Sequence, residues 1–230
     1  MNSFKLLIFT LILILNLPVN AVENKFEVQG HRGARARFPE NTMPAFEHAL
    51  KVGVDVLELD LGVTKDKVVV INHDPYINPD RCQTSDGKKI AEKIYINKIS
   101  LKEVKSFDCG SMRNKNFPQQ TTIPHTSIPT LNELFEWIGK SKLPNAKTVQ
   151  FNIETKIEPN NPKFTVSPEE FTSLVVKTLE KYQMLPRTYL QSFDFRTLYE
   201  ARRLSPQLKI AALFETTAID MLDTGKKLKA

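Results

Sequence analysis

Seven side chains in this sequence have the types and spacing needed for phosphate-ester hydrolysis, and each group follows a short apolar run. They comprise two imidazoles, three carboxylates and two cations: His31, His73, Glu58, Asp60, Glu154, Arg32 and Lys156. A polar group that ends a buried strand is unfavourable unless it faces a site. The carboxyl ends of parallel strands form the catalytic face of a β/α barrel. The set therefore predicts metal-assisted hydrolysis at such a face.

The three carboxylates predict a site for a hard divalent cation. Glu58 and Asp60 are two residues apart in one predicted strand, so their side chains project to the same side, and Glu154 ends another strand. Two carboxylates 4 Å apart repel by about 4 kcal/mol at an effective dielectric constant of 20. Three carboxylates can therefore converge only around a cation or with proton uptake. Oxygen ligands select Ca²⁺ or Mg²⁺ over zinc, with Ca²⁺ slightly preferred; the alternative is surface pairing of each carboxylate with Lys or Arg.

The histidines and cations complete the predicted site. His31 and His73 flank the carboxylates as general acid and base, in an order that the sequence leaves open. The guanidinium of Arg32 can bind a phosphate through two hydrogen bonds. Lys156 lies two residues beyond Glu154, on the same side, and can neutralise phosphoryl charge. Three further residues are assigned no catalytic role, with turn or surface positions at least as well supported: Asn41, His48 and His125.

The first 21 residues predict a secretory signal. Lys5 precedes the apolar run 6–17, Pro18 ends that run, and small residues lead to cleavage after Ala21. The run is shorter than the ~20 residues needed to span a bilayer, although an uncleaved anchor is the alternative. Export predicts a periplasmic or secreted protein with a mature chain of residues 22–230. It also favours a disulfide between Cys82 and Cys109 over two unrelated thiols.

Composition indicates an ordinary globular domain with a mildly basic surface. Hydrophobic residues make up 41% and charged residues 25% of the chain. The formal net charge of +6 becomes +5 once Lys5 is removed with the signal. This balance favours an anionic small-molecule substrate. The lysines are scattered without interleaved aromatic residues, which argues against nucleic-acid binding, and no stretch after the signal is apolar enough to cross a bilayer.

The pattern of elements predicts an α/β fold, a TIM-like (β/α) barrel that is truncated to about six strands. The predicted strands are Phe26–Gln29, Val54–Asp60, Val68–Ile71, Val149–Glu154, Thr188–Ser192 and Lys209–Phe214. The linker 61–67 is too short for a helix, so the third strand is expected to return in extended chain and run parallel to the second. Residues 74–126 contain one clear short helix and predict an inserted lobe over the barrel mouth. A closed barrel needs eight strands, so the last strands are predicted to be missing.

The ordered motifs are similar to those of the glycerophosphodiester phosphodiesterases, in particular the secreted bacterial members with an insertion after the third strand. The matching segments are His31-Arg32-Gly33, Pro39-Glu40-Asn41-Thr42, Phe46, Ala49, Gly53, Glu58-x-Asp60, Thr64-x-Asp66 and His73-Asp74. The resemblance covers residues 28 to 214. It implies a barrel with an inserted lobe and assigns the seven residues above the roles of metal ligands, acid and base, and phosphate contacts.

The resemblance also implies a substrate class. Such enzymes cleave deacylated phospholipids such as glycerophosphocholine to glycerol 3-phosphate and an alcohol. One departure concerns a tryptophan that often lines the substrate pocket in this family. The single tryptophan of the sequence, Trp137, lies in a predicted helix after the insertion and does not match that position. Two alternatives remain at this point. One is a truncated, non-catalytic barrel, and the other is a phospholipase D-like enzyme that acts on sphingolipid or lysolipid head groups.

Overall fold

The computed structural model describes residues 26–215 and 221–228. The predicted secretory signal, residues 1–21, lies outside the described residues. Within the described ranges no helix is both long enough and apolar enough to cross a membrane.

A six-stranded sheet forms the centre of the fold, and its strands are β1 (Gln29–Gly30), β2 (Val56–Val63), β3 (Val69–Ile71), β4 (Gln150–Thr155), β5 (Thr188–Ser192) and β6 (Lys209–Ala212). Five of these strands are parallel, in the spatial order β1-β2-β4-β5-β6. Every residue of β2 is buried, as expected for a central strand covered on both faces. The architecture is the α/β, TIM-like arrangement that the sequence predicts.

The third strand does not run as expected. β3 is antiparallel to β2, with Leu61 opposite Ile71 and Val63 opposite Val69. A tight turn reverses the chain, because Lys67 adopts φ 64° and its N–H donates to the carbonyl of Thr64 at 3.0 Å. The expected parallel return was therefore wrong: the linker is a turn rather than an extended crossover.

This reversal creates an opening on one edge of β2. β1 pairs with Val56 and Leu57, and β3 pairs with residues 61–63 of the same edge. Within the described part of the chain, residues 58–60 therefore have no strand partner on that edge. Their carbonyls are satisfied instead by loop residues, since Gly33 N–H donates to Glu58 O at 3.2 Å and Asn72 N–H donates to Asp60 O at 2.9 Å. The chain segments that follow β1 and β3 thus enter this opening from opposite directions.

Helices cover the sheet and bury most of the core. They are α1 (Met43–Val52), α2 (Leu131–Lys140), α3 (Pro168–Lys181), α4 (Phe195–Leu204) and α5 (Met221–Leu228). α1 ends at Gly53, whose φ of 86° favours glycine. Thr42 occupies the N-cap position of α1, but its hydroxyl donates to Pro39 O rather than capping the helix. Thr130 and Glu133 form a capping box at the start of α2.

The segment between β3 and α2 forms the inserted lobe, which has its own small core. Two antiparallel strand pairs, Tyr76–Ile77 with Ile94–Tyr95 and Gln83–Thr84 with Phe107–Asp108, frame it. A four-residue helix, Leu101–Val104, begins at a capping box. A disulfide joins the lobe's two cysteines. The buried apolar cluster of this region packs against Val70 of β3 and otherwise consists of Ile77, Cys82, Ile90, Ile96, Val104 and Ile128.

Candidate active site

Strand register brings the three predicted metal ligands together. Asp60 of β2 lies opposite Glu154 of β4, and Glu154 lies opposite Gln191 of β5. Glu58 precedes Asp60 by two residues and so projects to the same face. One carboxylate oxygen from each of the three acids lies within 4.8 Å of the others, and each of these residues is at most 6% exposed. These buried carboxylates form a compact set of oxygen donors.

Two cations compensate part of this charge. Lys156 Nζ lies 2.8 Å from Glu154 Oε1 and 3.5 Å from Asp60 Oδ1, and Arg32 Nε lies 3.2 Å from Asp60 Oδ2. Burial disfavours ionisation of Asp60, but the positive charges around it, including His73, outweigh burial and lower its pKa.

The negative charge that these cations leave uncompensated affects the two glutamates, because the pKa of each is raised. Burial, reinforced by the charge of Asp60, raises the pKa of Glu58 to about 8. Burial also raises the pKa of Glu154, although Lys156 offsets part of the effect. Three carboxylates and two cations leave one acidic group uncompensated, and Glu58 responds by retaining a proton near neutral pH. The donor set therefore suits a hard divalent cation, which would replace that proton.

Hydrogen bonds orient the carboxylates before any ligand arrives. The Arg32 N–H donates to Glu58 Oε2 at 2.7 Å, and Gln191 Nε2 donates to Glu58 Oε1 at 3.2 Å. Asn41 Nδ2 donates to Asp60 Oδ2 at 2.9 Å. Fixing the carboxylates in this way stabilises one arrangement of the donor atoms.

The backbone of the β1–α1 loop is strained where it makes these contacts. Arg32 has φ 53° and Asn41 has φ 57°, both in the left-handed region that non-glycine residues seldom adopt. Gly33, at φ 77°, has no room for a side chain, because a Cβ there would lie 2.8 Å from the Ala45 carbonyl carbon. Close packing against α1 thus holds the loop in a shape that points the Arg32 N–H at Glu58.

The two predicted acid–base histidines lie on either side of the carboxylates but in different surroundings. His31 Nε2 is 3.7 Å from Glu58 Oε2, and the His31 side chain is 50% exposed. Burial, Arg35 and Arg32 lower the pKa of His31. The His73 side chain is 28% exposed, and its Nδ1 lies 3.0 Å from Asp74 Oδ1. Because a carboxylate only accepts, Nδ1 donates and Nε2 is left for the site.

One open cavity of about 810 Å³ connects these groups. The structure thus brings together all seven residues that the sequence singles out, with Asp60 lying just beneath the cavity wall. The other candidates lie apart: the His48 ring packs against Phe38 at 4.8 Å, His125 is exposed, and Trp137 packs against the main core. Six of the seven predicted residues line the cavity: His31, Arg32, Glu58, His73, Glu154 and Lys156.

Several contributing residues were not assigned a role from sequence. Gln191 stands at the end of β5 as Glu154 does at the end of β4, so strand position alone could have identified it. Asp74 follows His73 directly. Burial opposes its ionisation, yet hydrogen bonds from His73 and Asn78 and the charge of Arg81 hold its pKa well below its usual range. No spacing rule points to Arg81, since it reaches the site from a loop of the lobe.

Comparisons with known proteins agree with this geometry. A family model described as the glycerophosphoryl diester phosphodiesterase family matches residues 31–230. The glycerophosphodiester phosphodiesterase of Caldanaerobacter subterraneus subsp. tengcongensis is 29% identical over 203 residues, which cover 88% of this chain and 72% of the relative. Lysophospholipase D GDPD1 of Homo sapiens is 30% identical over 195 residues, which cover 81% of this chain and 54% of the relative.

A solved structure shows a similar fold. The crystal structure of a Silicibacter pomeroyi protein assigned to the glycerophosphoryl diester phosphodiesterases superposes with a TM-score of 0.79 at 25% identity. The match covers 88% of this chain and 72% of that one. The chain therefore spans 72% of the bacterial relative and 54% of the human one.

Proposed function

Because this chain belongs to the glycerophosphoryl diester phosphodiesterase family, a family of hydrolases, we propose that it hydrolyses glycerophosphodiesters to glycerol 3-phosphate and an alcohol. The observation that carries this proposal is the convergence of three buried carboxylates, two imidazoles and two cations at one cavity. The substrate class follows from the named bacterial relative, and deacylated phospholipids such as glycerophosphocholine are its simplest members.

Glu58, Asp60 and Glu154 would hold a divalent cation. When bound, the cation neutralises phosphate charge and stabilises the negative charge that develops in the transition state. Their donor atoms lie within 4.8 Å of one another. Oxygen donors this close together can share one Ca²⁺ or Mg²⁺ ion, and we propose Ca²⁺.

The side chains around the cavity have the remaining roles of proton transfer and phosphate binding. One histidine removes a proton from the nucleophile, which is water or the substrate's own 2-hydroxyl by way of a cyclic phosphate, and the other protonates the leaving alkoxide. Asp74 accepts the hydrogen bond from His73 Nδ1 and so orients the ring with Nε2 free to face the site. Arg32 and Lys156 supply positive charge for the phosphate oxygens.

A lysophospholipase D-like activity is the second candidate, and a feature of the cavity supports it. Ile157, Phe193 and Leu213 line the same cavity as the charged groups, and Phe193 is 44% exposed. Apolar side chains at this position can pack against an acyl chain. The similarity to the human lysophospholipase D is consistent with such a substrate.

We also propose that the protein is exported to the periplasm or the outside of the cell. The pattern of residues 1–21 supports export, and the disulfide between Cys82 and Cys109 suits an oxidising compartment. The amino terminus of the protein recovered from a periplasmic or culture fraction tests this proposal, which predicts Val22 as the first residue. Recovery of unprocessed chain from the cytoplasm would contradict it.

Choline release from glycerophosphocholine and from lysophosphatidylcholine tests the activity. We expect release from glycerophosphocholine that a chelator abolishes and Ca²⁺ restores, and that Glu58→Gln or His73→Ala removes. Glu92→Gln, which alters an exposed carboxylate in the lobe, is the matched control and is expected to retain full activity. Faster release from the lysolipid favours the second candidate. Absence of release from both, in a folded protein, indicates the non-catalytic barrel.

A further inference from the structure

A row of alternating charges links His73 to Arg32 by way of the inserted lobe. His73 Nδ1 donates to Asp74 at 3.0 Å, and Arg32 Nη1 donates to Glu40 at 2.8 Å. Arg81 stands between these two pairs: its Nη2 donates to Asp74 Oδ2 and its Nη1 donates to Glu40 Oε1. One guanidinium therefore contacts the carboxylates that hold a predicted acid–base histidine and a predicted phosphate-binding arginine.

The surroundings of Arg81 hold it in place. The side chains of Glu40 and Asp74 are 10% and 15% exposed, and that of Arg81 is 25% exposed, so these ion pairs are shielded from bulk water. The N–H groups of Arg81 and of the disulfide-bonded Cys82 both donate to Asn78 O. Asn78 Nδ2 in turn donates to Asp74 Oδ2 at 2.6 Å. The lobe thus presents the guanidinium from a cross-linked loop.

From this geometry we propose that Arg81 is a positioning residue that acts on His73 through Asp74. By fixing the Asp74 carboxylate, it keeps the neutral His73 ring in the form with hydrogen on Nδ1 and leaves Nε2 directed to the site. The same guanidinium fixes Glu40 and, through it, Arg32. The planar fork is required, because a single lysine ammonium lacks the two nitrogens that contact separate carboxylates.

The kinetic test rests on the proposed function. Arg81→Met is expected to lower kcat on the order of 10-fold and to change KM little, as is typical when the partner of a site residue is removed. Arg81→Lys restores the charge but only part of the rate. Arg113→Met alters an exposed arginine of the same lobe and is the matched control, with no expected change.

A double-mutant cycle separates positioning from a general weakening of the lobe. With a p-nitrophenyl phosphodiester, whose activated leaving group keeps slow variants measurable, Arg81→Met is compared in the wild type and in a His73→Ala background. If Arg81 acts through His73, Arg81→Met lowers the rate little in the His73→Ala background. If the rate of the double variant falls by the product of the two single-variant losses, the proposal is overturned.

Nitrogen NMR of the His73 ring tests the same proposal without relying on activity. We expect the wild type to carry hydrogen on Nδ1, and expect Arg81→Met and Asp74→Asn to shift the ring toward the Nε2–H form, while Arg113→Met leaves it unchanged. An unaltered ring spectrum in Arg81→Met overturns the positioning role. A shifted spectrum in a protein that hydrolyses no diester supports the positioning role while refuting the proposed function.

Discussion

The central sheet and the inserted lobe hold their parts of the site by different physical means. In the sheet, strand register alone sets Asp60 opposite Glu154, and helices on the outside bury the strands. In the lobe, a disulfide and loop hydrogen bonds hold Arg81 against Asp74. Among the described residues, the main core cluster contains 29 buried apolar residues and the lobe cluster contains 7. A cluster that small buries little apolar surface, so the disulfide adds stability that the larger core obtains from packing.

This difference shows that the sheet and the lobe contribute different parts of the site. The sheet concentrates negative charge, which is unfavourable for folding and useful for binding a cation. The lobe supplies the ionic contacts that orient one imidazole. We therefore expect substitutions in the sheet to change cation binding and turnover together, and substitutions in the lobe to change turnover and local stability with less effect on the cation.

The largest expected effect comes from Glu58→Gln in the sheet. A cation held by this site would contribute several kcal/mol of transition-state stabilisation, so we expect turnover to fall about 1,000-fold. The same change removes a buried, repelled acid and should raise the melting temperature of the chelated protein. Turnover and thermal unfolding, each with and without Ca²⁺, measure both effects. A variant that keeps both its activity and its Ca²⁺-induced stabilisation would contradict the site.

Removal of the lobe's disulfide is expected to have the next largest effect. Closing a loop with a sequence separation of 27 stabilises the native state by about 3.5 kcal/mol on the chain-entropy model. The double substitution Cys82→Ala with Cys109→Ala should therefore speed amide hydrogen exchange in the lobe and lower turnover, while exchange in β2 and β4 changes less. Equal loss of protection in both regions would show that the lobe and the sheet unfold as one unit.

A smaller effect concerns pH and the raised pKa of Glu58. The folded chelated protein binds this proton up to about pH 8, whereas an unfolded glutamate releases it near 4.5. The stabilisation is therefore complete below about pH 4.5 and is lost as pH rises through 8. We expect the melting temperature of the chelated wild type to fall relative to that of Glu58→Gln between pH 5.5 and 8.5, and Ca²⁺ to stabilise the wild type more at the higher pH. A difference in melting temperature between the wild type and Glu58→Gln that stays constant with pH would refute the raised pKa of Glu58.

The smallest predicted effect is on cation affinity. Asn41→Gly removes the amide that fixes Asp60 and keeps a residue that tolerates a φ of 57°. We expect Ca²⁺ binding, measured by calorimetry, to weaken about 10-fold. Asn97→Ala removes a comparable amide contact in the lobe, to Lys163 O, and should leave the affinity unchanged. Equal weakening of Ca²⁺ binding in the two variants would contradict the proposed difference between the sheet and the lobe.

Much of the sheet could be predicted from sequence because its physics is periodic. Alternation in β2 places Glu58 and Asp60 on one face, and the apolar runs locate β4 and β5 to within a residue or two. The carboxylates, histidines and cations were identifiable because each follows such a run. Helix α1 was identifiable from Pro44 and Gly53.

The rest depends on contacts that have no sequence period. The direction of β3 is decided by a turn at Lys67, and a linker of seven residues is compatible with either direction. The contacts of Arg81 with Asp74 and Glu40 join separate loops, so no spacing reveals them. Asn41 and Gln191 were underrated because an amide has many structural uses in turns and at strand ends.

The antiparallel return of β3 also shapes the order in which the site can assemble. Glu58, Asp60 and His73 lie within one hairpin of fewer than 20 residues, whereas Glu154 is 94 residues beyond Asp60. Closing the longer loop costs about 1.6 kcal/mol more entropy than closing the hairpin. Chain topology thus favours a folding route in which half of the candidate site forms as a local unit, before β4 docks and supplies the third carboxylate.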